Sequence, residues 1–161
     1  MKRENAINLL LNELDKNTLV ICGIGKVARE LYELRKKRGE ENNDFLMLGS
    51  MGCAVPIGLG VALNTKKNVV VITGDGSFLM KMGSIATLKK HKTDNLKIFI
   101  LNNYCHDSTG GQPTAFKEVK KIVDTIDCIT IIDIERGARK ELTRPDITCS
   151  EIKDKFMAFA N

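Results

Sequence analysis

The sequence predicts an α/β fold, a single three-layer α/β/α domain over residues 1–161 built on a mainly parallel sheet. Apolar runs of strand length, at residues 18–22, 68–73, 96–101 and 128–134, alternate with segments of helical periodicity, as repeated βαβ units require. The runs at 68–73 and 96–101 are apolar almost throughout, as in strands covered by helices on both faces. Gly74-Asp75-Gly76-Ser77 and Asn102-Asn103 close those two runs, at the strand ends where open α/β sheets bind ligands.

Residues 3–14 place Ala6, Leu9, Leu10 and Leu14 at helical spacing, and Asp15 to Asn17 end that helix. Residues 18–22 are a short buried strand, and Gly23-Ile24-Gly25-Lys26 turns into a second helix running to about Arg38. The turn is neither a Walker loop nor a complete dinucleotide fingerprint. Lys26 and Arg29, three residues apart on one face, are either surface charges or contacts to an anionic substrate. Residues 39–44 are a polar connection and 45–48 a brief strand. Gly49-Ser50-Met51-Gly52 then opens a helix over 53–63, where Gly58 and Gly60 allow close backbone approach and Pro56 is tolerated in the first turn. After Gly76 a helix from Ser77 carries the apolar stripe Phe78, Met82, Ile85 and Leu88. Residues 91–95 return the chain to the strand ending at Asn102-Asn103. The loop over 104–114 leads to a helix over 115–126 and a β-branched strand at 128–134. Residues 136–142 are charged and irregular. Thr148 and Glu151 have capping-box spacing before a last helix that buries Ile152 and Phe156.

Composition narrows the functions available. A chain of 161 residues holds one ordinary core, and 43% hydrophobic with 28% charged residues is that of a soluble globule. Only 5% aromatic residues and no Trp speak against a base-stacking surface, so no nucleic-acid partner is expected. The net charge of +5 lies on helix ends such as Arg35-Lys36-Lys37-Arg38 and Lys89-Lys90-His91-Lys92, read as solvated. Five cysteines, odd in number and without C-x-x-C, argue against disulfide and zinc frameworks. Two histidines make a transition-metal site improbable. An amphipathic N-terminal segment and no run of membrane-spanning length lead to the expectation of a cytoplasmic protein with no membrane contact.

The chemistry sits at the two strand ends. Gly74 and Gly76 remove β-carbons that would hold a phosphate off the backbone, and Ser77 opens a helix whose first N–H groups favour an anion. Asp75 beside a phosphate would repel it unless a divalent cation lies between them. Magnesium takes one or two carboxylates plus phosphate oxygens, and an Asn amide oxygen adds a neutral ligand. The bland reading is a strand-exit turn and an Asn cap, which explains each half alone but not their pairing. In the loop, His106, Ser108 and Thr109 suit a substrate-facing role, His106 as proton donor and the hydroxyls as donors to an anion, with Gly110-Gly111 giving mobility. An Asx-type turn capping the next helix is the other reading.

Gly-Asp-Gly followed about twenty-five residues on by Asn-Asn resembles the signature of thiamine diphosphate enzymes. The resemblance implies that Asp75, the Asn103 side chain and the Cys105 carbonyl hold Mg2+. It also implies that Gly74, Asp75, Gly76, Ser77 and Asn103 bind the diphosphate end of the cofactor. The Gly49-Ser50-Met51-Gly52 element resembles the place where that family holds the aminopyrimidine. There the Gly49 carbonyl would accept from the amino group, the Met51 N–H would bind a ring nitrogen, and the Met51 side chain would wedge between the rings. Residues 106–114, 25–31 and 48–52 further resemble phosphonopyruvate decarboxylases and, in most positions, sulfopyruvate decarboxylase β subunits.

That resemblance implies the diphosphate-binding subunit of a thiamine diphosphate-dependent 2-oxo acid decarboxylase. The implied substrate is 3-phosphonopyruvate, giving phosphonoacetaldehyde and CO2, with Lys26 and Arg29 as candidates for its acid group. A complementary pyrimidine-binding subunit would supply the catalytic Glu in a hetero-oligomer. A sulfopyruvate decarboxylase β subunit is the second reading, and a non-catalytic diphosphate-binding regulatory module the third.

Overall fold

The computed structural model describes residues 1–41, 43–137 and 141–161. Asn42, in the predicted connection, and residues 138–140, in the predicted irregular run, lie outside the described residues. In chain order come α1 (Arg3–Glu13), β1 (Leu19–Cys22), α2 (Lys26–Lys37), β2 (Phe45–Leu46), α3 (Ala54–Ala62) and β3 (Val69–Gly74). Next are α4 (Asp75–Leu79), α5 (Ser84–Lys90), β4 (Leu96–Asn102), β5 (Cys105–His106) and β6 (Gln112–Pro113). The chain ends with α6 (Phe116–Val123), β7 (Ile129–Asp133) and α7 (Cys149–Ala160).

β1, β2, β3, β4 and β7 form one parallel sheet in the order β2-β1-β3-β4-β7, and β5 pairs antiparallel with β6 in a separate hairpin. Register aligns Ile21, Val71, Ile98 and Ile129 in one row across four strands. Because side chains alternate along a strand, that row faces one side, where it packs with Leu59 of α3, Phe78 and Phe116. Val20, Cys22, Val70 and Ile72 face the other, against Ile7 and Leu11 of α1 and Leu31 of α2. Helices thus cover both faces, making three layers, and each fully buried aliphatic side chain contributes about 1.5–3 kcal/mol. The capping box forms as expected: Thr148 Oγ1 accepts from the Glu151 N–H at 3.2 Å, and Glu151 Oε2 accepts from the Thr148 N–H at 2.8 Å. Ile152 and Phe156 are buried, and Phe156 meets Phe45 edge-on at 5.4 Å. No helix among the described residues is long and apolar enough to cross a membrane.

The helix expected after Ser77 is two helices. The Met80, Lys81 and Met82 N–H groups donate to carbonyls three residues back, the tighter pattern of a 3₁₀ turn, and Gly83 precedes the restart at Ser84. The break still leaves Phe78, Ile85 and Leu88 buried. In α1 the buried face is Ala6, Ile7, Leu10 and Leu11, together with Arg3, while Leu9 is exposed. The basic end of α2 is not simply solvated. Arg35 grips Asp44 through Nε and Nη2, both at 2.9 Å, and Arg38 donates to Glu40, Asn8 and Asn12. The loop at 104–114 contains the unexpected hairpin, and α6 starts at Phe116 and stops at Val123.

Only one of the two α3 glycines makes a close approach. A β-carbon on Gly58 would lie 2.2 Å from Val71 Cγ2, whereas Gly60 is exposed with nothing near it. Gly58→Ala is therefore expected to force α3 off β3 at a cost of about 1–3 kcal/mol. Gly60→Ala should stabilise by about 0.4–1 kcal/mol, since its helical backbone suits alanine. Thermal melts of the two variants check the contrast.

Candidate active site

The loops leaving β1, β3 and β4 converge at the carboxyl edge of the sheet on a cavity of about 460 Å3. β3 delivers Asp75 and β4 delivers Asn103, and since Gly74 pairs with Leu101 the two side chains start from adjacent strand ends. Strands in a sheet lie about 4.8 Å apart, so the two side chains begin within reach of one ion. Asp75 is 2% exposed. Among the described residues its carboxylate takes a hydrogen bond from Thr114 Oγ1 to Oδ2 and makes no ion pair. A buried carboxylate with one neutral donor is poorly compensated, so the position suits a bound cation.

Asn103 is fixed from both ends. Its Nδ2 donates to Asp107 Oδ2 at 2.7 Å, and its Oδ1 accepts from the Cys105 N–H at 3.0 Å, leaving the oxygen a second lone pair. Asn102 does different work: Nδ2 donates to Asp133 Oδ1 at 2.6 Å, tying β4 to β7, and Oδ1 accepts from the Tyr104 N–H. Tyr104 has φ +54°, in the left-handed region, and this bend starts the hairpin. There the Thr114 N–H donates to the Tyr104 carbonyl, so Cys105 and Pro113 face each other as a non-hydrogen-bonded pair and the ladder makes no demand on the Cys105 carbonyl. Burial and the Asp107 carboxylate push the Cys105 thiol up, so its side chain stays a neutral thiol.

The remaining predicted residues are distributed as follows. Gly74, Gly76, Ser77, Met51, Lys26, His106, Ser108 and Thr109 line the cavity with Asp75, Asn103 and Cys105. Gly76 is held close to His106: a β-carbon there would lie 2.5 Å from the imidazole Cε1, so the glycine makes room for the ring. Gly25 does the same for Ser108, whose Oγ lies 2.8 Å from the equivalent point. Ser77 Oγ accepts from the Gly52 N–H at 3.1 Å, which binds the 49–52 turn to the start of α4 and leaves the hydroxyl proton free to donate. Ser50, at φ +55°, and Gly49 sit on that turn outside the cavity lining. Arg29 is not brought to the cavity; its Nη1 donates to the Leu142 carbonyl at 3.2 Å. No side chain caps α6, so the helix-capping reading of the loop does not hold.

Sequence reasoning missed Thr114, Asp107 and Arg3. Asp107 accepts from Arg3, Asn103 Nδ2 and the Gly137 N–H. Arg3 had a usable signal: it lies three, four and seven residues before Ala6, Ile7 and Leu10, so it belongs to the buried face of α1 and needs a buried acid. Among the described residues no group of three or more His, Cys, Asp or Glu side chains could hold a metal. A set of one carboxylate, one amide oxygen and one backbone carbonyl is of a different kind.

The sequence profile of the family described as thiamine pyrophosphate enzyme, C-terminal TPP binding domain, matches residues 23–142. The chain is 36% identical to a phosphonopyruvate decarboxylase of Streptomyces viridochromogenes, over 96% of this chain and 45% of the relative. It is 48% identical to that of Streptomyces hygroscopicus, over 70% of this chain and 27% of the relative. With the sulfopyruvate decarboxylase subunit beta of Methanothermobacter thermautotrophicus the identity is 43%, over 71% of this chain and 59% of the relative. The chain thus spans less than two thirds of these relatives.

Proposed function

Because the chain belongs to the thiamine pyrophosphate enzymes, through their C-terminal cofactor-binding domain, we propose that it is the diphosphate- and Mg2+-binding half of a 2-oxo acid decarboxylase. Its preferred substrate is 3-phosphonopyruvate, which loses CO2 to give phosphonoacetaldehyde. The observation that carries the reading is the buried Asp75 carboxylate, which among the described residues has no cationic partner, at the edge of a cavity shared with Asn103. Asp75, Asn103 Oδ1 and the Cys105 carbonyl would hold the metal, with the 74–77 turn and the Ser77 hydroxyl against the diphosphate. Gly49, Ser50 and Met51 would hold the pyrimidine end. When bound, the cofactor supplies the nucleophilic carbon and the electron sink for decarboxylation. His106 would hand a proton to the reacting centre, the Ser108 and Thr109 hydroxyls would orient the substrate, and Lys26 would take its acid group. A complementary chain would bring the pyrimidine-side Glu, making the enzyme a hetero-oligomer. Titration calorimetry of thiamine diphosphate tests the metal bridge: tight binding with magnesium and weak binding without it is expected, and equal affinity in both would overturn the reading.

A second reading, a sulfopyruvate decarboxylase β subunit, is favoured by the 59% coverage of a relative that is itself named a subunit. Purified with its complementary half, the enzyme is expected to turn over 3-phosphonopyruvate faster than 3-sulfopyruvate, and the reverse order would establish the second reading. Lys26→Met should raise KM about 10-fold or more with a smaller change in kcat, as the loss of a charged contact made equally in ground and transition states does.

A further inference from the structure

Arg3 lies in the N-terminal helix, 100 residues before Asn103, yet both line the same cavity. Its guanidinium is buried and sits between two carboxylates: Nη1 is 3.4 Å from Glu30 Oε1 of α2, and Nη2 pairs with Asp107. Nη2 also donates to the Gly137 carbonyl at 3.3 Å, while the Gly137 N–H donates to Asp107. Asp107 in turn accepts from Asn103 Nδ2. Arg136 closes the group from the other side, Nε donating to the Asn103 carbonyl at 3.3 Å. An ionised carboxylate can only accept, so whichever end of the Asn103 amide faces Asp107 must be the NH2. The oxygen is thereby left on the other side, where a cation would need it.

We propose that Arg3 is a positioning residue: by holding the Asp107 carboxylate in place, it sets the Asn103 amide with its oxygen toward the metal position. The inference rests on the reading of Asn103 as a metal ligand. Without Arg3, Asp107 loses the guanidinium that holds it, and a carboxylate free to rotate no longer dictates which end of the amide faces it. A flipped amide would present N–H groups to a cation. Residues that orient metal ligands from behind typically change metal affinity about 10–100-fold when replaced.

The test uses the chain with its complementary half and reads the magnesium concentration that half-saturates thiamine diphosphate binding. Arg3→Met is expected to raise it about 10–100-fold. Arg3→Lys, which keeps the charge but lacks the fork for two acids, should give a smaller rise, and it serves in place of Arg3→Met if that variant does not fold. If Arg3 acts through the amide, adding Arg3→Met to Asn103→Ala changes nothing further; a full second loss means that Arg3 supports the fold generally and overturns the proposal. The Asn103 side-chain amide resonances provide a readout that needs no cofactor. They are expected to be shifted and slowly exchanging in the unliganded wild type, to lose both properties in Arg3→Met and to move part of the way in Arg3→Lys, whereas unchanged resonances overturn the proposal. Wild-type protein that shows no magnesium dependence would instead overturn the metal reading, while the resonances still decide whether Arg3 orders the amide.

Discussion

Asp75→Asn is expected to weaken magnesium-dependent cofactor binding about 100-fold or more while leaving the unliganded chain at least as stable as wild type. The two halves of the expectation have one cause. Asp75 is almost wholly buried, and in the unliganded protein its charge is met only by the Thr114 hydroxyl among the described residues. Burying an uncompensated charge opposes folding, so removing it while keeping the side chain's shape should relieve that cost. Asn retains an oxygen for Thr114 and loses the charge that a magnesium ion and a diphosphate would require between them. A charged ligand bond removed from a dry site costs about 3 kcal/mol or more, and each 1.4 kcal/mol is tenfold in affinity. For a domain of this length a gain of about 1 kcal/mol moves the melting temperature by about 2–4 °C. Calorimetric titration and a thermal melt on the same preparation check both halves. Lost binding with a lowered melting temperature would show that Asp75 is a structural carboxylate, and unchanged binding would remove it from the site.

How far the sequence reveals this arrangement depends on whether a feature is local. β3 announces itself through a continuous β-branched run, β4 through a largely apolar one, and the capping box of α7 through two residues three apart, because each is decided by near neighbours. The candidate site was legible to the extent that its residues stand at strand ends: Asp75 and Asn103 follow β3 and β4, which the register sets side by side, and both line one cavity with Cys105. What was not legible depends on contacts distant in sequence. The break between α4 and α5 lies where Gly52 packs closely on Met80, Lys81 and the Ser77 carbonyl, a contact that no periodicity within residues 77–90 encodes. Arg29 shares a helix face with Lys26 by spacing, but one turn of helix carries it past the cavity to the Leu142 carbonyl. The ties from Thr114 to Asp75 and from Arg3 to Asp107 span 39 and 104 residues and arise only when the β5–β6 hairpin folds back over the strand ends.

That hairpin makes Gly76→Ala the most informative single change to the proposed chemistry. In isolation the substitution should help, since Gly76 lies within α4 and alanine is favoured over glycine in helices by about 1 kcal/mol. The added carbon, however, would stand 2.5 and 2.6 Å from Cε1 and Nδ1 of His106 and 3.2 Å from Thr114 Cγ2. The obstructing atoms belong mostly to the far end of one side chain, so the fold can yield by turning the imidazole away. Stability should therefore change little, while His106 leaves the position from which it would exchange a proton. Displacing a reacting group by about 1 Å can cost about 100-fold in rate, and a fall of that order in kcat at saturating cofactor is the expected result, beside any loss of cofactor affinity that the added carbon causes on the 74–77 turn. His106→Ala should give a similar loss, and the double variant should be no slower than the worse of the two. Gly74→Ala provides the contrast, because a β-carbon there meets only the Leu101 carbonyl at 4.0 Å. It should leave His106 in place and, if the diphosphate lies against this turn, weaken cofactor binding instead of turnover. Steady-state kinetics and cofactor titration of the four variants separate the two effects. A Gly76→Ala enzyme with wild-type kcat would remove His106 from the chemistry.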